Sequence, residues 1–385
     1  MANMQQTTTS SRAFGGPQKY IQGPGELNNM AEFTSPYGKK VLFLIDSFLC
    51  ESLTERLEEI YKETTSTILS VAFGGECCQK EIDRLLEIAE EQKTEVIVGI
   101  GGGKTCDTTK FVANALDIPR ILMPSSASTD APTSGLGILY TEQGEHIQAV
   151  KMKRNSELVL MDSEIIVKAP VRLFIAGIGD ALATYFEARA NAATETTNYI
   201  GKGYRRCKAA MAIAKMAYDL LLEDGLNAVH AVRRGVVTEE VENIIEANTL
   251  LSGLGFENTG CAAAHGIHSG ITEIPESHDI LHGEKVAFGI VCQMVLENTP
   301  KEEMERIMAF LRDVGLPITL EGIHVPATEG NIRLIAHHTV AKNPLIHHEP
   351  VFINEDIVVN AIWAADEIGR RYLERNRDKT REGCS

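Results

Sequence analysis

From Lys40 to Ser126 the chain alternates short apolar runs with amphipathic ones, which narrows the possible folds more than any other feature. "KVLFLID", "TILSVAFGG" and "EVIVGIGGG" are β-branched runs closed by turn residues, the form of strands buried on both faces. Between them lie "CESLTERLEEIYKET" and "QKEIDRLLEIAEEQ". The second sets Ile82, Leu85, Leu86 and Ile88 near one helical face. Strand and helix in turn make a parallel α/β sheet. "RILMPSS" reads as a further strand and "IQAVKMKRNSELVLMD" as more strand-like chain.

From about Pro170 the texture changes. "VRLFIAGIGDALATYFEARANAAT", "RRCKAAMAIAKMAYDLLLED", "VTEEVENIIEANTLLSGLGF" and "EEMERIMAFLRDVG" all read as helices rich in Ala, Leu and Glu. The expected organisation is a disordered extension over 1–18, an α/β domain over 19–169, an all-helical domain over 170–375 and a polar tail over 376–385. The net charge of −16 disfavours nucleic acid and anionic membrane as partners, leaving small-molecule chemistry. "MANMQQTTTSSRAFGG" has no apolar core of a secretory signal, and no apolar run reaches the ~18 residues of a membrane span. The cysteines form no CxxC pair, which fits reduced thiols in a cytoplasm.

Gly101, Gly102 and Gly103 join the third strand run to a helix. Glycines there let backbone approach a ligand, and the helix start offers N–H groups and a positive dipole end, which suits a pyrophosphate. The turn is neither a P-loop, where Val98 would be glycine, nor the Rossmann fingerprint, where Lys104 would be. Asp46, ending the first strand run, suits a ribose hydroxyl or the N-cap of the next helix. Asp107 and Lys110 are spaced as an intrahelical pair. The loop "PSSASTDAPTSGLGILYTEQG" offers Ser125, Ser128 and Ser134 to a phosphate or amide.

The stretch "AHGIHSGITEIPESHDILHGEK" holds four of the chain's eleven histidines, a concentration that points to metal. It is not HExxH, so a zincin protease is disfavoured. On a helix His265 and His268 share a face at three residues apart, and His278 and His282 do so at four.

Taken together, "GGGKTCDTTK", "ASTDAP", "GIGDALATYFEARA", "GFEN…AAAHGIH" and "LHGEKVAFG" resemble the metal-dependent polyol branch of the iron-type alcohol dehydrogenase family, from about Lys19 to Leu373. The resemblance implies the two-domain fold shared with dehydroquinate synthase: an NAD-binding parallel α/β domain, then an all-α domain for metal and substrate. It implies NAD-dependent oxidation of glycerol to dihydroxyacetone at a Zn²⁺ site. By resemblance the metal ligands fall on Asp180, His265 and His282. His268 would face the substrate or nicotinamide as a catalytic residue, with the proton leaving through it or through water, His265 would also border the substrate, and His278 would be peripheral. Asp130 matches a substrate-binding acid, Asp46 the ribose acid, and Gly101 to Lys104 the phosphate turn. Ser125, Ser128, Ser134, Leu136 and Tyr140 match the loop over the dinucleotide. The resemblance further implies a cytoplasmic homo-oligomer, an octamer.

Two departures stand out. "PSSASTDAPTSGLG" replaces the commoner "PTIASTDAPCSALS", so Ser125 stands for threonine and Gly135 and Gly137 loosen the loop. Iron-type relatives carry a histidine four residues after the metal acid, where this chain has Thr184; three protein ligands favour zinc over iron. A lyase of the dehydroquinate synthase type would need a basic cleft for an acidic substrate, and the acid of "STDAP" argues against it. A noncatalytic nucleotide- or metal-binding protein is the third reading.

Overall fold

The computed structural model describes residues 9–382. Its strands include β1 (Tyr20–Gly23), β2 (Lys40–Ile45), β3 (Thr67–Ala72), β4 (Val96–Gly101), β5 (Arg120–Pro124), β6 (Leu136–Tyr140), β7 (His146–Lys151) and β8 (Leu158–Asp162). Six of them form a parallel sheet in the order β1–β8–β5–β4–β2–β3. The helices α1 (Ser47–Tyr61), α2 (Gln79–Gln92) and α3 (Gly103–Leu116) carry the crossovers.

Two of the three continuous apolar runs, β2 and β4, are buried as expected, whereas β3 is the edge strand of the sheet and has no buried residue. Val41, Phe43 and Ile45 of β2 pack with Leu53, Leu57 and Tyr61 of α1. Their neighbours Leu42 and Leu44 face the other way, toward Ile82, Leu85 and Ala89 of α2 and Val112 and Ala113 of α3. Alternate residues of one strand thus serve two cores, each large side chain contributing about 1.5–3 kcal/mol by burial.

The chain after Pro170 is largely helical: α4 (Val171–Thr194), α5 (Lys208–Val232), α6 (Glu239–Glu246), α7 (Ser252–Thr259), α8 (Ala263–Ile271), α9 (His282–Leu296), α10 (Lys301–Val314), α11 (Glu329–Ala341) and α12 (Glu355–Glu382). Two compact units result. The first joins Gly15–Phe174 to His230–Leu254; the second contains Ile175–Val229 and the chain from Gly255 on. Residues 230–254, expected among the helical domain, therefore lie with the sheet. Among the described residues no helix is long and apolar enough to cross a membrane.

Several local expectations change. Of the extension expected to be disordered, residues 1–8 lie outside the described residues. Arg12–Ala13 instead pair in parallel with Arg205–Arg206 in the second unit. The polar tail expected from residue 376 continues α12 to Glu382. "LGILY", read as loop, is strand β6, paired antiparallel with β7 outside the main sheet. Gly137 does not loosen that segment: it is buried inside β6, and a Cβ there would stand 2.6 Å from Met152 and 3.2 Å from Phe111. The helix read across "VTEEVENIIEANTLLSGLGF" is interrupted by a π-turn at Ala247–Leu251 between α6 and α7.

Candidate cofactor and metal sites

Strand β2 has β3 on one side and β4 on the other, so the chain reverses its direction of sheet growth between β2 and β4. Ligands of doubly wound sheets bind outside the strand C-termini at such a switch point. There the sequence places both Asp46, after Ile45, and the glycine turn, after Ile100, two residues that are directly paired. Helix α3 opens at Gly103 with no side-chain cap.

The Asp46 carboxylate turns to the glycines. Its Oδ2 accepts the Gly102 N–H at 2.9 Å and its Oδ1 accepts the Thr105 hydroxyl. It makes no cap bond to α1, so the N-cap reading fails for the side chain. A Cβ on Gly101 would overlap this carboxylate, whereas a Cβ on Gly103 would meet nothing nearer than Thr129 Oγ1 at 4.0 Å. Gly101 is glycine for internal packing; Gly103 leaves open space above the turn. Lys104 points aside: its Nζ lies 2.5 Å from Glu76 Oε2 and 5.1 Å from the Tyr140 ring centre.

Two clamps hold the hydroxyl-rich loop. The expected Asp107–Lys110 pair forms at 3.0 Å, and Lys110 is fully buried. Its ammonium also donates to the carbonyls of Ala131 and Leu136 at 2.6 Å each, using all three protons. Asp107 Oδ2 accepts the Ile138 N–H at 2.9 Å. From the other side comes the π-turn, a feature frequent at functional sites. Asn248 donates to Ala127 and Phe174, Thr249 accepts from Thr133, and Ser252 donates to Asp130 Oδ2 at 2.6 Å. Within the loop, Ser126 donates to Ser128 at 3.1 Å, Ser134 donates to Ala131, and the Ser125 N–H bonds Gly101. Leu136 and Tyr140 lie on β6. Sequence reading had no reason to single out Asn248 or Ser252, since their contacts bridge 74 to 122 residues.

In the second unit Asp180, His265 and His282 converge. Asp180 Oδ1 is 3.2 Å from His265 Nε2 and 3.1 Å from His282 Nε2. The three residues form a group able to hold a metal ion. Two further glycines enable this. A Cβ on Gly283 would overlap the Ala176 carbonyl of α4, and one on Gly179 would overlap the Gly283 carbonyl. Side chains at either position would hold α4 and α9 apart.

The second ring nitrogen of each histidine is also engaged. His265 Nδ1 lies 2.7 Å from Glu187 Oε2, and His282 Nδ1 lies 3.0 Å from His268 Nε2. Burial would raise the Asp180 carboxyl, but His282 and His265 outweigh it and hold it well below the usual range. Burial would lower His265, but Glu187, Cys261 and Asp180 together raise it well above its ordinary value. His268 is pushed down, by burial first and then by His282.

The donor set fits a cation. A carboxylate can only accept, so Nδ1 of His265 carries the proton facing Glu187. In its neutral form the ring aims a lone pair from Nε2 at the Asp180 carboxylate, setting two acceptors 3.2 Å apart. A cation relieves that opposition, as a bound proton also would. Asp180 Oδ2 is buried with no hydrogen-bond partner, a second unmet acceptor at the same place.

His278 is elsewhere. The expected shared face with His282 does not exist, because Pro275–Ser277 form a 3₁₀ turn and His282 begins a new helix. His278 is exposed and its Nε2 lies 3.2 Å from the Thr272 carbonyl.

The family pattern of iron-containing alcohol dehydrogenases matches residues 17–163. The chain is 43% identical over 365 residues to a glycerol dehydrogenase of Escherichia coli, covering 94% of this chain and 99% of that protein. Among solved structures it is similar to a probable glycerol dehydrogenase from Sinorhizobium meliloti, with TM-score 0.88 and 45% identity over 94% of this chain and 99% of that one. It is also similar to glycerol dehydrogenase from Schizosaccharomyces pombe, with TM-score 0.90 and 35% identity over 97% of this chain and 94% of that one.

Proposed function

Since the chain belongs to the iron-containing alcohol dehydrogenase family, we propose specific roles for its residues in the reaction of that family's glycerol dehydrogenases. The chain is an NAD- and metal-dependent oxidoreductase that converts glycerol to dihydroxyacetone. The metal we assign is Zn²⁺, held by Asp180, His265 and His282. One observation carries this assignment: two imidazole Nε2 atoms meet a single buried carboxylate oxygen within 3.2 Å. Three ligands of this kind, with coordination left for substrate, are the form of catalytic zinc sites.

Bound there, zinc supplies Lewis-acid polarisation of a substrate hydroxyl, and NAD supplies the hydride acceptor. The residues of the chain bind and orient. Gly103 and the uncapped start of α3 receive the pyrophosphate. Asp46 holds the turn through Gly102 and Thr105 and keeps lone pairs for a ribose hydroxyl. Ser125, Ser128, Ser134, Leu136 and Tyr140 cover the dinucleotide. Asp130 accepts from a polyol hydroxyl while Ser252 steadies one of its oxygens. His268 accepts the proton of His282 Nδ1 and so keeps His282 Nε2 free as a ligand. From the resemblance alone we add a cytoplasmic homo-oligomer, an octamer, for which light scattering is the test.

The deciding assay is NADH formation from glycerol, 1,2-propanediol and ethanol, with metal analysis of the same sample. Vicinal diols are expected to react best at one zinc per chain. Metal-replete protein inactive on every diol overturns the reading.

A further inference from the structure

The first N–H groups of any helix lack partners within it. Helix α8, which carries His265, follows Ala262, a residue with no capping side chain. Four successive N–H groups there are met by three side chains from distant parts of the second unit. Glu187 Oε1 accepts from Ala262 at 2.8 Å and from His265 at 2.9 Å. Glu349 accepts from Ala263, and Gln293 from Ala264. Glu187 is itself fully buried on α4, seven residues after Asp180, and therefore on the same helical face. One carboxylate thus holds the backbone of His265 with one oxygen and its ring with the other, at 2.7 Å.

We propose that Glu187 is a positioning residue of the metal site: it locks His265 in the tautomer with the proton on Nδ1, so that Nε2 presents its lone pair beside Asp180. The inference rests on the ligand set given under Proposed function. Glu187 accepts two backbone N–H groups with Oε1 and turns Oε2 to the ring as an acceptor at 2.7 Å. The ring therefore cannot rotate its proton to Nε2 without facing an acceptor with an acceptor. Partners of this kind fix ring orientation, and their loss costs about 10–100-fold in metal affinity. Cys261 Sγ lies close enough to Glu187 and His265 to suggest a rival cation position on the Nδ1 side. The proposal fills that position with a proton instead.

Glu187→Gln separates the two duties. Its amide oxygen can still accept the Ala262 and His265 N–H groups. Its NH₂ group then faces Nδ1 and drives the ring proton to Nε2, against the metal. The measurements are the Zn²⁺ dissociation constant by chelator competition and the thermal midpoint of the metal-free protein, for wild type, Glu187→Gln, Glu187→Ala, Asp180→Ala and Cys261→Ser. Glu187→Gln is expected to weaken Zn²⁺ by about 10–100-fold with the metal-free midpoint near wild type. Glu187→Ala should lose both, and Cys261→Ser should keep wild-type affinity. Wild-type affinity in Glu187→Gln, beside an emptied Asp180→Ala, overturns the role of Glu187 alone. So does a loss in Glu187→Gln matched by a collapsed metal-free midpoint, which marks a purely structural residue. Loss of zinc in Cys261→Ser places the cation on the rival side and also overturns it. Wild-type affinity in Asp180→Ala overturns the ligand set and the inference with it.

Discussion

Gly179 and Gly283 lie backbone to backbone where α4 meets α9, with no room for a methyl group on either. Asp180 follows the first and His282 precedes the second, so the closeness of the helices becomes the 3.1 Å approach of carboxylate to imidazole. Gly283→Ala must push against the Ala176 carbonyl, and backbone cannot swing aside as a side chain can. The expected result is a loss of about 1–3 kcal/mol or more in unfolding free energy together with loss of bound zinc. Denaturant unfolding and metal analysis check it; wild-type zinc content would show the helices need not be so close.

Replacing His265 or His282 by alanine should each remove zinc and nearly all turnover. His278→Ala should keep both, since that ring is exposed and faces the Thr272 carbonyl. His268→Ala should weaken zinc as well as rate, because it removes the acceptor for His282 Nδ1. Metal stoichiometry beside kcat for the four variants decides: zinc lost from His278→Ala and retained in His282→Ala would reverse the assignment.

Gly103→Val tests the phosphate turn. Beyond its own helix and chain neighbours, the new Cβ meets no atom closer than Thr129 Oγ1 at 4.0 Å, so the fold should tolerate it. It would fill the space a pyrophosphate needs. Titration calorimetry should show NAD affinity reduced at least about tenfold, ~1.4 kcal/mol, with zinc content unchanged. Equal affinity would make the turn structural only.

Asp46 should favour NAD over NADP, because a carboxylate repels a 2′-phosphate. Asp46→Gly also removes the bonds to Gly102 and Thr105, so NAD binding should weaken as discrimination falls. The ratio of kcat/KM for the two cofactors is the readout. A wild-type ratio near one would remove Asp46 from ribose recognition.

Asp130→Ala should raise the KM for glycerol far more than it alters NAD binding. Ser252→Ala should do the same to a smaller degree, since it removes one donor to the carboxylate without deleting the acid. An unchanged KM in Asp130→Ala would take that residue out of the substrate site.

The parts of this protein legible in sequence are those set over short distances. A strand buried on both faces is apolar along its length, and the glycine run after it marks a turn where side chains have no place. The α/β order and the Gly101–Gly103 turn follow from neighbours a few residues apart. The helical texture beyond Pro170 is equally local. Histidine type and clustering also raised a metal, yet His278 and His282 could not be ranked by spacing, because a 3₁₀ turn and a helix start separate them. The rest depends on contacts that periodicity does not encode. Asp180 reaches His265 across 85 residues, Glu187 reaches it across 78, and Ser252 reaches Asp130 across 122. In each case the partner is an ordinary acid or hydroxyl on an ordinary helix. What selects it is the crossing of helices at Gly179 and Gly283 and the π-turn after α6, which bring polar groups distant in sequence within hydrogen-bond reach.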